Sequence, residues 1–330
     1  MNTYAYMAIL VAFLVYILLY NIKFSSSTDH FFNKEDCNAL RGFWCIVIIL
    51  VHVPYSYQNL IQDMIGSFAY IGVSFFFMTS AFGLSLGYKN NKKETHDFWL
   101  NRLKKILFPC FFVNIISMFL LIMQGEKISV NNLLVLNSWV QWLLFCYLIF
   151  YFSKFFTPKY TKIIMCALIS IFSICTYSFS HKLNVTTWHT EIYGFIWGII
   201  LFEYFNEFKY IVNKNWSRNL GILYLASIIT GLMYIKYKSV FFFGDYILKI
   251  FLGLMLLMLL LTANLRLKIG NNINRFLGNI SYEVYLLQWA VFNFVVNMVD
   301  GIQSGEFILI SIFLTIVLAY VPYFASKKII

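Results

Sequence analysis

Residues 40–56 read LRGFWCIVIILVHVPYS, and this stretch indicates how the whole chain is built. Ten residues without a charge separate Arg41 from His52. On a helix the two side chains would lie roughly 16 Å apart along the axis, because each residue rises about 1.5 Å. Ionisable side chains are rare and costly at such depth in a membrane. The stretch therefore predicts a membrane helix with a basic residue near one end and a histidine deep inside it.

The composition of the full chain agrees with a membrane protein. Of its 330 residues, 61% are hydrophobic and 12% are charged, and the mean hydropathy is +0.73. A soluble domain has about 45–50% apolar and about 25% charged residues. These values exclude a soluble enzyme, a disordered chain and a nucleic-acid-binding domain, even though the net charge is +11. In a membrane protein such a charge is typical of cytoplasmic loops and of contact with anionic lipid.

Eleven stretches are apolar enough to be candidate membrane helices. They lie near residues 3–22, 42–57, 66–87, 105–123, 133–153, 163–180, 190–205, 219–235, 245–262, 280–298 and 306–324. Because the stretches are apolar on every side, transmembrane strands are excluded. We predict an all-α, polytopic membrane protein with about eleven transmembrane helices. The six cysteines form no CxxC pair, so we expect no metal site.

The basic residues give an independent test of this topology. Twenty of the 25 lysines and arginines fall in alternate connections or their helix ends, four fall in the connections between them, and Lys249 lies within a helix. Cytoplasmic loops carry the excess of Lys and Arg in membrane proteins. We therefore predict a multi-pass protein of the cell membrane, with the N-terminus outside and the C-terminus in the cytoplasm.

Only one of the five histidines, His52, lies inside an apolar stretch. One interpretation is a structural histidine that hydrogen-bonds a neighbouring helix. The other is a neutral imidazole that acts as a general base or as an acyl carrier. Arg41 taken alone would be a side chain that extends to the headgroups and anchors the helix.

The arginine, the ten residues after it and the histidine resemble the signature of the membrane acyltransferase-3 family. Three further segments resemble motifs of this family, and each departs from the usual pattern at one residue. They are Gly72–Phe82 with Ala81 for Gly, Phe98–Pro109 with Lys105 for Arg, and Gly278–Gln288 with Gln288 for His. The resemblance implies a ten-helix acyltransferase domain over residues 36–330, preceded by an additional membrane helix and a cytoplasmic loop over residues 1–35.

The family resemblance also implies the reaction. It implies an integral membrane O-acyltransferase that carries acetyl from cytoplasmic acetyl-CoA to a hydroxyl of an envelope or capsular polysaccharide, or of a lipid-linked glycan. Acyl-CoA is then a donor substrate, and no permanently bound cofactor or nucleic acid is expected. A transporter or flippase of a lipid-linked sugar is the alternative, and a polysaccharide polymerase is a third reading. The sequence shows neither the internal repeat of many transporters nor the large basic outward loops of a polymerase.

The resemblance assigns roles to individual residues. His52 and Arg41 would be catalytic, and Arg41, Arg102 and Lys105 would hold the phosphates of the donor. The cluster Lys89, Lys92, Lys93, Arg102, Lys104 and Lys105 is dense in charge, although a simple topology signal would look similar. The remaining residues expected to bind substrate are Ser80, Trp142, Tyr282, Tyr285 and Gln288.

Other polar residues in the apolar stretches have ordinary structural explanations. Asp245 and Lys249 are four residues apart, so we expect them to pair along one helix. Glu191, Glu203 and Glu283 lie near predicted helix ends, where we expect hydrated side chains. Most tryptophans are expected in the interfacial belt, and Trp139, Trp142 and Trp188 are also candidates for stacking on a sugar ring.

Overall fold

A computed structural model describes residues 2–90, 95–156, 158–183 and 187–329. These residues form an all-α protein, as the sequence predicts, with one short antiparallel strand pair. The helices, in chain order, are α1 Thr3–Leu19, α2 Lys34–Val51, α3 Leu60–Gly66, α4 Ala69–Asn90, α5 Thr95–Met123, α6 Ser138–Ser153, α7 Pro158–Leu183, α8 Tyr193–Glu203, α9 Phe205–Lys214, α10 Trp216–Tyr237, α11 Lys249–Arg266, α12 Asn272–Asn279, α13 Ser281–Met298 and α14 Ser304–Ile329.

The remaining elements are short. Strands β1 Lys23–Phe24 and β2 Leu267–Lys268 pair with each other. Two 3₁₀ turns cover Tyr55–Tyr57 and Val130–Leu134, and a π-helical turn over Phe243–Leu248 leads into α11. The strand pair ties the segment after α1 to the end of α11.

Six helical stretches among the described residues are long and apolar enough to cross a membrane, and α1, α6 and α8 are apolar but shorter. The chain is therefore a membrane protein by length and composition of its helices. The count of eleven crossings stays a prediction. It also requires α2 and α13, which have 18 residues each and carry charges.

Helix α2 is shifted relative to the predicted stretch 42–57. It begins at Lys34, because the Asn33 side chain accepts a hydrogen bond from the Asp36 backbone N–H and caps the first turn. It ends at Val51, two residues before Val53, whose backbone is restricted by Pro54. His52 therefore lies at the end of the helix rather than inside it.

Helix α5 also begins earlier than predicted, at Thr95 instead of residue 105. The basic residues Arg102, Lys104 and Lys105 consequently lie on a helix and not in a loop, and Pro109 lies inside that helix. The short connection from α4 contains Lys92 and Lys93, which lie outside the described residues.

Helix α2 lies at the centre of the protein, and all of its residues from Trp44 to Leu50 are buried. Helix α12 packs against its first half at unusually short distance. A Cβ atom at Gly42 would lie 1.9 Å from the Asn274 carbonyl oxygen, and one at Gly278 would lie 1.7 Å from the Asn38 carbonyl oxygen. Glycine is required at both positions for this approach. The packing sets the height of Arg41, the neighbour of Gly42.

Candidate active site

A cavity of about 760 Å³ opens at the end of the protein where α2 begins. Its walls come from α2, α4, α5, α6, α13 and α14, and from residues that flank them. The charged residues on these walls are Lys34, Arg41, Arg102, Lys105, Lys327 and one acid, Glu283. We call this space the basic cavity. Its five cations come from three separate helices, α2, α5 and α14, and the charge pattern assigns all of them to the same side of the membrane.

Arg41 lies on the α2 wall of the basic cavity. Its guanidinium stands 5.3 Å above the centre of the Phe76 ring, and its buried Nε has no hydrogen-bond partner among the described residues. Glu283 is 3% exposed, and its carboxylate and Arg41 attract each other electrostatically. The prediction of a hydrated Glu283 is therefore wrong. Glu283 lies in the first turn of α13, and α13 packs against α2 and α5.

Arg102 and Lys105 occupy the α5 wall. Arg102 donates a hydrogen bond of 2.7 Å to the Gly83 carbonyl oxygen of α4, and its guanidinium lies 5.4 Å from the centre of the Phe98 ring. Part of its bonding capacity therefore joins α4 to α5. Lys105 forms the next part of the same wall. Lys89 and Lys104 do not line the cavity, and the Lys89 ammonium lies 5.9 Å from the Phe202 ring centre.

Ser80, Tyr282 and Trp139 line the basic cavity as well. The Ser80 hydroxyl is 2.7 Å from the Tyr147 hydroxyl. Tyr282 donates to the Ile106 carbonyl oxygen at 3.1 Å. The structure therefore brings Arg41, Arg102, Lys105, Ser80 and Tyr282, all predicted site residues, together around one space.

His52 lies at the far end of α2 from Arg41 and does not line the basic cavity. Its Nδ1 is 2.8 Å from the Ile48 carbonyl oxygen. Because a carbonyl only accepts hydrogen bonds, Nδ1 carries the proton and Nε2 keeps a free lone pair. The described residues offer Nε2 no hydrogen-bond partner. The imidazole is thus fixed on one side and available as a proton acceptor on the other.

Gln288 is fully buried beside this imidazole, with its side-chain Nε2 at 3.3 Å from His52 Nδ1. With the amide nitrogen on this side two donors face each other, and the amide oxygen has no partner among the described residues. Oxygen and nitrogen of an amide are assigned from the surrounding hydrogen bonds. Exchanging them removes the contact between two donors, because the oxygen then shares the Nδ1–H with the Ile48 carbonyl oxygen. Gln288 then supports the same tautomer of His52 that Ile48 selects.

Aromatic rings surround His52 and separate it from the basic cavity. The ring centres of Trp289, Tyr285 and Trp188 lie 5.5, 6.3 and 6.5 Å from that of the imidazole. Trp139 lies 5.4 Å from Tyr285, between it and the cavity. The pair Trp139–Tyr285 is called the aromatic layer below. Basic residues and the imidazole thus form two half-sites that share a wall.

A family model described as an acyltransferase domain, Acyl_transf_3, matches residues 34–324. The chain belongs to the acyltransferase-3 family. Searches of curated proteins and of solved structures returned no match. The family membership confirms the resemblance drawn from the motifs, and it makes the chain a membrane acyltransferase rather than a flippase or a polymerase.

The structure places several residues that the sequence analysis singled out away from both half-sites. Trp142 packs on Phe172, with ring centres 4.8 Å apart, and does not line the basic cavity. Lys249 pairs with Glu191 at 2.8 Å rather than along its own helix, and Asp245 accepts from the Tyr177 hydroxyl. Glu191 is 4% exposed, so its predicted hydration is also wrong. Glu203, by contrast, is half-exposed and pairs with Lys162.

Sequence reasoning missed Trp289. It named Glu283 and Trp139, but it did not predict Glu283 as a cavity wall or Trp139 as part of the aromatic layer. Glu283 lies inside the recognised segment Gly278–Gln288, so its position in that motif was the available signal. Trp139 precedes Trp142 by three residues, and the apolar helix α6 gives no sequence signal for which tryptophan faces inward.

Proposed function

We propose that this acyltransferase moves an acetyl group from cytoplasmic acetyl-CoA to a hydroxyl of an envelope or capsular polysaccharide. The observation that carries the proposal is the pair of half-sites on α2, with five cations around one space and a single imidazole behind the aromatic layer. The family supplies the acyl transfer itself. The donor, the acceptor and the residue roles below are parts of the proposal.

The basic cavity suits the nucleotide end of the donor. Acyl-CoA carries several phosphates, and charge-assisted hydrogen bonds from Arg and Lys are the strongest contacts available to them. Lys34, Lys105 and Lys327 stand at the walls, and Arg41 stands deeper beside Glu283. The orphaned Arg41 Nε has spare bonding capacity. The thioester arm then points from the phosphates toward the aromatic layer.

His52 suits the chemical step. A sugar hydroxyl is a weak nucleophile until a base takes its proton. In direct transfer, Nε2 accepts that proton while the hydroxyl oxygen bonds to the thioester carbon. The carbon–sulfur bond then breaks, and the leaving thiolate takes a proton from the imidazolium. In a two-step route Nε2 first bonds to the thioester carbon and the thiolate leaves. The hydroxyl oxygen then takes the acyl group, the bond from this carbon to Nε2 breaks, and the hydroxyl proton passes to the thiolate. Both routes need the free Nε2 that the Nδ1–Ile48 contact leaves.

The charge pattern orients the reaction. If the basic cavity faces the cytoplasm, His52 is reached from outside the cell membrane, where the polysaccharide is found. Single cysteines at Lys127 and Lys214, both exposed, test this orientation. An impermeant thiol reagent added to intact cells should label the Lys127→Cys protein and leave the Lys214→Cys protein unlabelled. The reverse pattern would overturn the orientation.

The test of function measures acetyl ester on the cell-surface polysaccharide. Polysaccharide from cells with the wild-type protein, with no protein and with His52→Gln protein is compared by mass spectrometry. We expect acetyl ester in the first sample alone. In parallel, purified protein in lipid nanodiscs is given radiolabelled acetyl-CoA and alkali-deacetylated polysaccharide. Label that stays on coenzyme A, with no transfer in either assay, would reject this donor and acceptor pair.

A further inference from the structure

The half of the protein around His52 contains two helices that are too short to cross a membrane unaided. Helix α8 has 11 residues and α6 has 16. At about 1.5 Å per residue, α8 spans roughly 16 Å, against a hydrocarbon core of about 30 Å. The start of α6 and the segment before α8 lie near His52: the Trp188 indole N–H donates to the Ser138 hydroxyl at the start of α6, and the Trp188 ring lies beside the imidazole.

The segment 187–192 before α8 is not helical, yet it reaches into the protein. The Ser173 hydroxyl of α7 donates to the His189 carbonyl oxygen at 2.5 Å. Ser173 lies ten residues before the end of α7, so this contact is about 15 Å below that end. Irregular backbone at membrane depth is tolerated only where it is buried in protein or lines a water-filled cavity. The 187–192 segment is therefore a buried, non-helical loop that enters the protein from the end of α7 and leads into α8.

Trp289 is 46% exposed, although it lies near the middle of α13, eight residues from Ser281 and nine from Met298. Tryptophans of the interfacial belt lie at the two ends of a membrane helix, not at its centre. The exposed ring also flanks His52. These facts favour an open space at the depth of the imidazole, bordered by Trp289 on one side and by Trp188 on another.

We propose that the 187–192 loop and the start of α6 form a water-filled vestibule above His52, in which Trp188 and Trp289 hold a sugar ring of the acceptor. The vestibule rests on the structure alone, and the sugar rests on the proposed function. Aromatic faces bind the apolar face of a sugar, and polar tips hold its hydroxyls. The charged pair nearest in sequence to Trp188, Glu191 with Lys249, is mutually neutralised. A neutral, hydroxyl-rich ring fits this lining better than an ion does.

Cysteine labelling tests the vestibule without reference to catalysis. In a background without native cysteines, Trp289→Cys is treated with a charged, impermeant methanethiosulfonate reagent. Phe313→Cys is the matched control, because Phe313 lies inside α14 and is 69% exposed on its outer surface. We expect reaction at residue 289, no reaction at residue 313, and reaction of the loop control Lys127→Cys. An unreactive Trp289→Cys beside a reactive loop control would overturn the vestibule.

Kinetics test the sugar ring. With alkali-deacetylated polysaccharide as acceptor, Trp188→Ala should raise the KM for acceptor roughly threefold to tenfold, the range of one aromatic contact. The KM for acetyl-CoA should stay unchanged, and Trp188→Phe should restore most of the loss. Trp142→Phe, whose ring packs on Phe172, is the control. An unchanged acceptor KM in Trp188→Ala would reject the sugar assignment. Failure of acetyl-CoA to react with wild-type protein would reject the proposed function and leave the labelling result standing.

Discussion

The surroundings of Arg41 and of His52, toward the two ends of α2, differ in how many charged or titratable residues they contain. The Arg41 end gathers five cations from separate regions of the chain around one cavity. The His52 end has one imidazole, an uncharged amide and a ring of aromatic side chains. Charge at the first end is spread over many residues, whereas the chemistry at the second end depends on one nitrogen.

This difference predicts how each end tolerates mutation. Loss of one cation removes one contact to a donor that the others still hold. Loss of the imidazole leaves no second histidine beside the same space among the described residues, because Gln288 occupies the position where the family pattern has one. We therefore expect large single-residue effects at His52 and graded effects around the cavity.

The largest effect is expected for His52→Gln. Glutamine keeps a hydrogen bond but has no proton-accepting nitrogen, and loss of a general base lowers rates by about 10²–10⁴-fold. Acetyl transfer to polysaccharide should fall to this extent, with acetyl-CoA affinity nearly unchanged, as measured by radiolabel transfer and equilibrium binding.

His30→Gln is the matched control, because His30 is buried near Asn264, and neither lines the basic cavity nor contacts His52. It should retain transfer activity. If His52→Gln kept near-full activity, the imidazole would be a structural residue, and the contrast between the two ends would disappear. Glu191 and Glu283 would then be the next candidates for the proton acceptor.

A smaller effect is expected for Arg41→Ala. One charge-assisted phosphate contact contributes about 1.5–3 kcal/mol, which corresponds to roughly 10- to 150-fold in affinity. Acetyl-CoA binding to protein in nanodiscs should weaken within this range. Lys236→Ala, in a connection that the charge pattern assigns to the opposite side, should bind normally. Equal affinities for the two variants would mean that Arg41 only anchors its helix.

Arg102→Ala should also weaken acetyl-CoA binding, for two reasons: it removes a cation from the basic cavity, and it removes a contact between two helices. Its hydrogen bond to the Gly83 carbonyl oxygen joins α4 and α5, so the variant should also lose thermal stability. Arg41 has no such bond at Nε. Melting temperature measured beside affinity therefore separates the structural contribution of Arg102 from its contribution to binding.

The aromatic layer connects the two ends and gives the next prediction. Trp139→Ala removes the ring that separates Tyr285 from the basic cavity. Water should then reach the thioester, and hydrolysis of acetyl-CoA without acceptor should rise severalfold relative to transfer. Release of free coenzyme A measures hydrolysis, and Trp142→Ala is the control. An unchanged ratio of hydrolysis to transfer would show that the layer does not exclude water.

The sequence predicts the Arg41 end better than the His52 end. Charged residues can be read directly from the sequence. Their alternation along the chain assigns Lys34, Arg102 and Lys327 to the same side of the membrane before any packing is known. Apolar helices carry no such signal. Nothing in the letters of α6 distinguishes Trp139 from Trp142, and both Asp245 and Lys249 have partners on other elements.

Helix boundaries show the same limit. Charged or polar residues at the start of α2 and α5 look like loop, yet Asn33 caps one helix and the other continues through Arg102. The reason for a glycine at position 42, in the LRG triplet, is visible only in the structure. There α12 passes so close that a Cβ atom would meet the Asn274 carbonyl oxygen. Tertiary contact, rather than local pattern, determines these features.

The smallest effect is expected for Lys105→Arg, which restores the residue of the family pattern. Lysine is a point charge, whereas the planar fork of arginine binds a phosphate through two parallel hydrogen bonds. Because the other cations already hold the donor, the gain in acetyl-CoA affinity should be only a few-fold. Lys104→Arg makes the same chemical change one residue away, outside the cavity lining, and should leave affinity unchanged. Equal gains in both variants would show that the effect is general charge at this face, and that Lys105 does not touch the phosphate. A gain at Lys105 alone would place one donor phosphate against α5, and would show that binding at the basic end grows by small, separable steps.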